Sequence, residues 1–350
     1  MGRGSLRMEK GEVICPERVR RLPTYLEIRE RVLEVGREPI ALSKSISKKA
    51  LVKYSARLER VFRYVEENVL ARLQEVNKVL SISFYRELAS NAVPEGVDLV
   101  NVVGRLVGKV KVVRKLYREY KARVMSSIDR PEAEELYREY VGRVLSVIRR
   151  LSKDIELVNV AIDELRKAPC IDFAKPVVAV AGLPQVGKST LVAAISTAKP
   201  RSSPFPFTTK EIVLGHIELD GTTVQILDLP GILDRPPEEM NRVERKALIA
   251  LTTVAQVIVF LVDPSEDFYY GFDSQLNLLK AMLNLAGSKV VVAINKVDKV
   301  SEERLANVAK AVEEVAPGVT VVKISALKRL GLAELLNALR NFLSEAKPQG

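Results

Sequence analysis

One glycine-rich run of the sequence ends in a lysine followed by a hydroxyl side chain. Within VVAVAGLPQVGKSTLVAAIS, Gly182, Gly187, Lys188 and Ser189 have the spacing GxxxxGK[S/T]. Glycines allow such a loop to wrap with its backbone N–H groups facing phosphate oxygens, while the lysine reaches the β- and γ-phosphates and the hydroxyl reaches Mg²⁺. A β-branched run precedes the pattern and a helical one follows it, as this motif requires. The predicted nucleotide contacts here are Gly182, Leu183, Pro184, Gln185, Val186, Gly187, Lys188, Ser189 and Thr190.

Two further segments offer ligands for the same phosphates. Asp228 and Gly231 lie in DLPG, where the carboxylate can hold Mg²⁺ through water and the glycine N–H can contact a γ-phosphate. The stretch SSPFPFTTKEI, predicted as a mobile loop, contains Thr208 and Thr209, one of which should complete the Mg²⁺ shell when a γ-phosphate is present; we expect it to be Thr209. The predicted metal ligands are Ser189, Thr209 and Asp228, and the predicted catalytic residues are Lys188, Thr209 and Gly231.

Two more segments of the sequence predict which base is bound. Each segment follows a buried apolar run, and their residues are Asn295, Lys296, Asp298, Ser325, Ala326 and Leu327. The carboxylate of Asp298 can accept hydrogen bonds from the guanine N1–H and exocyclic amine, a pairing that adenine does not offer. A backbone N–H of the Ser-Ala-Leu segment would reach guanine O6. Four motifs in this order, each at a strand end, predict binding of GTP and GDP with Mg²⁺.

One catalytic side chain is missing from this set. The residue after Gly231 is Ile232, so no glutamine stands there to orient an attacking water. We therefore expect slow intrinsic hydrolysis. The single histidine, His216, lies in the β-branched run EIVLGHIEL and is interpreted as a strand residue rather than a catalytic base.

The composition is typical of a globular protein outside the membrane. Apolar residues make up 47% of the chain and charged residues 28%. No uncharged apolar run reaches the roughly 18 residues that a membrane span needs, and MGRGSLRMEKGE lacks the apolar core of a signal peptide. We therefore predict a cytoplasmic protein. Cys15 and Cys170 are the two cysteines, and we expect free thiols in a reducing compartment.

The positive charge is concentrated in the first half of the chain. Residues 1–172 contain 35 Lys and Arg against 25 Asp and Glu, so they carry +10 of the total net charge of +11. Eight of the ten tyrosines also lie there. Such a module suits a phosphate-rich partner such as RNA, which cations neutralise and aromatic rings stack on. The composition equally fits a solvated helical surface with tyrosines in its core, and the sequence leaves both readings open.

Residues 17–168 show helical periodicity. Apolar residues recur at spacings of three and four, with charges between them. Breaks at 36–39, 91–96 and 129–131 predict four to six helices of a bundle. The segments LYREYKARVMSSI and LYREYVGRVLSVI are interpreted as two similar bundle helices rather than as a functional duplication.

Beyond residue 175, short β-branched runs alternate with helical stretches. The alternation predicts a mostly parallel sheet with helices on both faces, and Asp220-Gly221 predicts a hairpin that makes one strand antiparallel. The predicted fold class is α + α/β, with an N-terminal helical bundle over 1–172 followed by a P-loop GTPase domain over 173–350. That domain should have a six-stranded, mostly parallel sheet and five helices.

Three segments carry a family resemblance: FPFTTKEIVLGHIE, DLPGILDRPPEEMNRVERKALIAL and VDPSEDFYYGFDSQLNLL. They resemble the nucleolar GTP-binding protein (NOG) family of the Obg-like translation-factor-class GTPases. The basic helical region over 80–170 is also similar to the N-terminal bundle of that family. Because the chain ends soon after the GTPase domain, the resemblance is to a short, archaeal-type member that lacks the C-terminal extension.

The resemblance implies a GTPase that acts as an assembly factor of the large ribosomal subunit. Its basic half would dock on rRNA and ribosomal proteins of the subunit or its precursor, and a monomer is the expected state. Gln185 stands where many relatives have the asparagine linked to potassium-assisted hydrolysis, so potassium stimulation is not implied. Two alternatives stay open: a nucleotide-gated scaffold with negligible hydrolysis, and a signalling GTPase whose helical half binds a protein.

Overall fold

The computed structural model describes residues 15–41, 48–204, 211–228, 254–286 and 289–345. By its internal contacts the chain divides into a helical unit, Arg18–Arg166, and a sheet unit, Met1–Glu17 with Lys167–Gly350. The predicted boundary after residue 172 stays a prediction. Of the helices that the structure describes, none combines the length and the apolar composition that a membrane span requires.

Seven α-helices form the described part of the helical unit, more than the four to six predicted. Their bounds are α1 Tyr25–Arg37, α2 Lys49–Val65, α3 Ala71–Leu80, α4 Ser83–Asn91, α5 Leu99–Met125, α6 Arg130–Arg150 and α7 Ser152–Leu165. A π-helical stretch, Glu66–Leu70, joins α2 to α3. The turn between α3 and α4 and the single residue Leu151 between α6 and α7 lack the glycine or proline that signals a helix end, so the periodicity did not reveal them.

The two similar segments lie in α5 and α6, which pack side by side as a helical hairpin. Asp129 begins α6 by accepting a 2.9 Å hydrogen bond from the Glu132 N–H, with Pro131 in the first turn. Tyr120 and Tyr140 occupy equivalent positions of the two segments, and their fully buried rings lie 5.8 Å apart. All eight tyrosines of the unit are buried or partly buried. The interpretation of the two segments as similar bundle helices is confirmed.

The described residues of the sheet unit form seven strands in the order β2-β3-β4-β1-β5-β6-β7. The strands are β1 Val177–Ala181, β2 Arg201–Pro204, β3 Glu211–Leu219, β4 Thr222–Asp228, β5 Val257–Val262, β6 Val290–Ile294 and β7 Thr320–Lys323; the helices are α8 Lys188–Ile195, α9 Phe272–Ala286, α10 Glu302–Val315 and α11 Leu332–Glu345. β1 lies between β4 and β5 in parallel, and β6 and β7 continue the parallel arrangement. β1, β5 and β6 are buried along their whole length, as expected for parallel strands covered on both faces.

The six predicted strands are confirmed, and β3 and β4 form the predicted antiparallel hairpin. Its turn residues, Asp220 and Gly221, have φ of 50° and 75°. The additional strand, β2, comes from the segment predicted as a loop and pairs with the outer edge of β3. Pro204 ends β2, where its missing N–H does not interrupt the ladder. Four α-helices are described in this unit against five predicted, and residues 229–253 lie outside the described residues.

The prediction of free thiols is wrong: Cys15 and Cys170 form a disulfide, with their Cα atoms 4.6 Å apart. Both cysteines belong to the sheet unit, although 155 positions separate them along the chain. The sequence conceals this proximity because the whole helical unit is inserted between the two residues. Neither cysteine sits in a short-range pattern that would have signalled a partner.

A buried asparagine holds the extended segment that precedes α1. The Leu22 N–H donates to Asn159 Oδ1 at 2.8 Å, and Asn159 Nδ2 donates to the Leu22 carbonyl at 2.9 Å. Asn159 lies in α7 and is 3% exposed. One carboxamide therefore satisfies both backbone groups of a residue that no strand or helix pairs.

We predict that Asn159→Ala lowers the free energy of unfolding by about 2–4 kcal/mol, because it leaves two buried backbone groups without partners. Denaturant unfolding would measure the change. Val160→Ala is the matched control, since Val160 is the next residue of α7 and is 48% exposed; its cost should stay below about 0.5 kcal/mol. Equal costs for the two variants would contradict the role given to Asn159.

Candidate functional site

The glycine-rich loop connects the carboxyl end of β1 to the first residue of α8. Gly182 and Gly187 have φ of 137° and 101°, a region that side chains rarely adopt. A Cβ atom on Gly182 would lie 2.7 Å from the carbonyl oxygen of Leu261 in β5. The two glycines are therefore required by backbone conformation, and Gly182 also by the close approach of the neighbouring strand.

Lys188 is buried, and its ammonium lies against the loop that it follows. Its Nζ donates to the carbonyl of Gly182 at 2.8 Å and to that of Leu183 at 3.1 Å. The charge thus sits at the start of α8, beside the N–H groups of the helix N-terminus. Both features favour a phosphate anion.

Ser189 and Asp228 meet although 39 positions separate them. The Ser189 hydroxyl donates to Asp228 Oδ2 at 2.5 Å, and Asp228 is fully buried at the end of β4. The parallel register of β1 and β4, which pairs Val180 with Asp228, brings the two side chains together. Adjacent hydroxyl and carboxylate oxygens are ligands that Mg²⁺ prefers, so this pair fits the predicted metal. The other predicted residues of this group, Thr209 and Gly231, lie outside the described residues.

Asn295 connects two of the predicted motifs. It follows β6, is 3% exposed, and donates from Nδ2 to the carbonyl of Val186 in the glycine-rich loop at 2.8 Å. Its Oδ1 accepts from the Ala326 N–H at 2.9 Å. A single carboxamide thereby links the phosphate-binding loop to the Ser-Ala-Leu segment and fixes their separation.

Asp298 lies beside Ser325 at the same end of the sheet. The hydrogen bond from the Ser325 hydroxyl holds the pKa of Asp298 below its ordinary value, and Lys328 Nζ, 3.7 Å from Oδ2, acts in the same direction. The carboxylate therefore stays ionised and able to accept two hydrogen bonds. This is the state that recognition of guanine requires.

The Ser-Ala-Leu segment forms a tight turn after β7. The N–H of Ala326 is bonded to Asn295, and that of Lys328 donates to Ser325 Oγ at 3.2 Å. Within the described part of the chain, the N–H of Leu327 has no such acceptor, and the Leu327 side chain is 75% exposed. The contact of a backbone N–H of this segment with guanine O6 stays a prediction, and among the described residues the Leu327 N–H is the one left without an acceptor.

Asp263 and Gln275 are two residues near the site that were not predicted from the sequence. Asp263 directly follows β5 and its Oδ2 lies 2.5 Å from Lys296 Nζ, while Gln275 is fully buried in α9. A polar residue at the carboxyl end of a buried parallel strand was the available signal. His216 lies in β3 as predicted, opposite Gln225 of β4.

We predict that Ser325→Ala raises the pKa of Asp298, because the mutant lacks the hydroxyl that stabilises the carboxylate. The lowered pKa keeps Asp298 ionised as pH falls. Removing the Ser325 hydroxyl should therefore move the loss of GDP affinity at acidic pH to higher pH. GDP titrations over an acidic pH series would show the shift. Ser325→Thr, which keeps a hydroxyl, should retain the wild-type profile; identical profiles for Ser325→Ala and wild type would contradict the prediction.

Each half of the chain matches a different protein-family model. Residues 42–172 match the model described as NOG1 N-terminal helical domain, and residues 177–296 match the one described as 50S ribosome-binding GTPase. An uncharacterized protein of Methanocaldococcus jannaschii is 34% identical over 223 residues, which cover 63% of this chain and 62% of that protein. The chain thus spans less than two thirds of this relative.

Named relatives include nucleolar GTP-binding protein 1 of Encephalitozoon cuniculi, 33% identical over 43% of this chain and 28% of that protein. The Saccharomyces cerevisiae protein of that name is 30% identical over 55% of this chain and 30% of its own length. A solved Plasmodium falciparum structure named for nucleolar GTP-binding protein 1 is 25% identical, covers 51% of this chain and 91% of that chain, and has a TM-score of 0.44. The chain therefore carries a NOG1 N-terminal helical domain followed by a P-loop GTPase domain, and it is a homologue of nucleolar GTP-binding protein 1.

Proposed function

We propose that this protein hydrolyses GTP to GDP and phosphate and acts as an assembly factor of the large ribosomal subunit. The observation that carries the nucleotide part is the Asn295 carboxamide, which joins the phosphate-binding loop to the Ser-Ala-Leu turn. Asp298 stands ionised beside that turn. The proposed phosphate site and the proposed guanine-reading carboxylate thereby lie on neighbouring segments at the carboxyl ends of the strands.

Each polar side chain of the cleft then has a role. Lys188 would lie against the β- and γ-phosphates, and the Gly231 N–H would contact the γ-phosphate. Ser189, Thr209 and Asp228 would hold Mg²⁺, directly or through water, and a bound Mg²⁺ would neutralise charge on the phosphate oxygens. A water must attack in line with the leaving oxygen, and Ile232 cannot orient it. Intrinsic hydrolysis is therefore slow, and the ribosomal partner would supply the missing group.

The ribosomal partner is supported by the comparisons and by charge. One matched model is described as a 50S ribosome-binding GTPase, and the named relatives are nucleolar proteins. Residues 1–172 carry the +10 net charge that an RNA-rich partner would neutralise. The protein would work in the cytoplasm as a monomer, and with Gln185 in the loop its hydrolysis would not require potassium.

One face of α5 offers a docking surface for RNA phosphates. Lys111, Lys115 and Arg118 are exposed, lie on one side of the helix, and form no ion pair with any residue in the described part of the chain. Because four of the eight tyrosines of this unit are buried in its core and the other four are partly buried, contact with phosphates is favoured over stacking on bases. Such binding would weaken steeply as salt concentration rises.

We predict that large ribosomal subunits accelerate GTP hydrolysis by at least about tenfold, as expected when a partner supplies a missing catalytic group. Multiple-turnover phosphate release, with and without purified subunits, would test this. Lys188→Met is the control, because it removes the ammonium near the phosphates.

Ile232 also favours a second candidate, a nucleotide-gated scaffold. Such a scaffold would bind GTP yet release no phosphate even with subunits.

A second experiment tests the docking surface. We predict that neutralising Lys111, Lys115 and Arg118 to Gln reduces the slope of log affinity for large subunits against log salt by about two to three, roughly 0.7–0.9 for each phosphate that the variant no longer neutralises. Cosedimentation over a salt series, with GDP and with a non-hydrolysable GTP analogue, would measure it.

The matched control neutralises three exposed arginines that already have carboxylate partners on the preceding helical turn: Arg63, Arg138 and Arg143. It changes the net charge equally but should leave the slope close to that of the wild type. Equal slopes for both triple variants would argue against the α5 surface. Salt-insensitive binding would favour a protein partner, as for a signalling GTPase.

A further inference from the structure

Lys296 has an unusual backbone conformation for its residue type. Its φ of 60° lies in the left-handed region, and it stands between Asn295 and the guanine-reading Asp298. The direction of the chain at this residue therefore decides where both neighbours point. Something in the structure must hold it in place, since the isolated chain does not favour this conformation.

The group that holds Lys296 is the carboxylate of Asp263. Asp263 Oδ2 lies 2.5 Å from Lys296 Nζ, and the exposed fractions of the two side chains are 2% and 27%. The Ser265 N–H donates to Asp263 Oδ1 at 3.0 Å. A buried carboxylate persists only when cations and hydrogen-bond donors surround it, and here both oxygens are engaged.

The backbone of Asp263 is held in turn by Gln275. The Asp263 N–H donates to Gln275 Oε1 at 2.7 Å, and Gln275 Nε2 donates to the Asp263 carbonyl at 2.9 Å. Gln275 is fully buried in α9. A continuous set of hydrogen bonds thus runs from α9 through Asp263 to Lys296.

This set lies next to the phosphate-binding loop. Lys296 and Asp263 share the wall of a cavity of about 610 Å³ with Gln185 of that loop. Lys296 therefore lies in one cavity wall with a residue of that loop and with the turn after β5. Displacing it would disturb the segments on both of its sides.

We propose that Asp263 and Gln275 are positioning residues for guanine-nucleotide binding, acting through Lys296. This inference rests on the proposed function as a GTP-binding protein. Asp263 fixes the Lys296 ammonium, and Gln275 fixes the backbone of Asp263. Neither residue needs to contact the nucleotide, because the effect is transmitted by the position of Lys296 between Asn295 and Asp298.

The test is a double-mutant cycle on the dissociation rate of a fluorescent GDP analogue. Asp263→Asn should accelerate release by about tenfold, the size of a strong pairwise coupling. Lys296→Met keeps the aliphatic stem and removes the ammonium. In that background, Asp263→Asn should change the rate by less than about twofold, because its partner is already missing.

The control is Asp267→Asn, which removes an exposed carboxylate from the same turn and should leave release at the wild-type rate. Should Asp263→Asn not fold, Gln275→Asn, whose shorter side chain cannot make both bonds, takes its place in the same cycle. Wild-type release rates for the folded variant, or an equal acceleration with and without the Lys296 ammonium, would overturn the positioning role while GTP binding stands. No binding of GDP by the wild type would overturn the proposed function and this inference with it.

Discussion

A single uncharged side chain holds the candidate site together. The Asn295 carboxamide donates to the phosphate-binding loop and accepts from the Ser-Ala-Leu turn, two segments that follow different strands of the sheet. The Val186 carbonyl and the Ala326 N–H lie outside the strands of the sheet, so each depends on a side chain for its hydrogen bond. Because the carboxamide carries a donor and an acceptor but no charge, it does this without the cost of burying an ion.

The same solution recurs at three other irregular segments. Gln225 bonds both backbone groups of Asp172, Gln275 those of Asp263, and Asn159 those of Leu22. In each case the carboxamide lies on a regular strand or helix and the segment it holds does not. The strands and helices thus determine the positions of the loops. At Asp263 the hydrogen bonds continue to Lys296, which stands between the predicted base-reading residues.

In the helical unit, the tyrosines and the excess positive charge occupy different places. Its tyrosines, which alone could have suggested stacking on RNA bases, lie in the core and along helix contacts such as that of Tyr120 with Tyr140. The excess positive charge remains at the surface, where arginines such as Arg138 and Arg143 pair with carboxylates on the same helix. Lys111, Lys115 and Arg118 of α5, by contrast, form no ion pair among the described residues, which is why the proposed RNA contact is placed there.

Short-range patterns in the sequence determined most of the site and the fold class. The spacing around Gly182 and Lys188, the NKVD segment and the β-branched runs each report on neighbours a few residues away, where backbone sterics and periodicity act. The structure alone decided what depends on distant segments: the pairing of Cys15 with Cys170, the strand β2, the glycine-free breaks between helices, and the contact of Asp263 with Lys296. These depend on which parts of the chain the sheet register and helix packing bring together, and no local pattern encodes that.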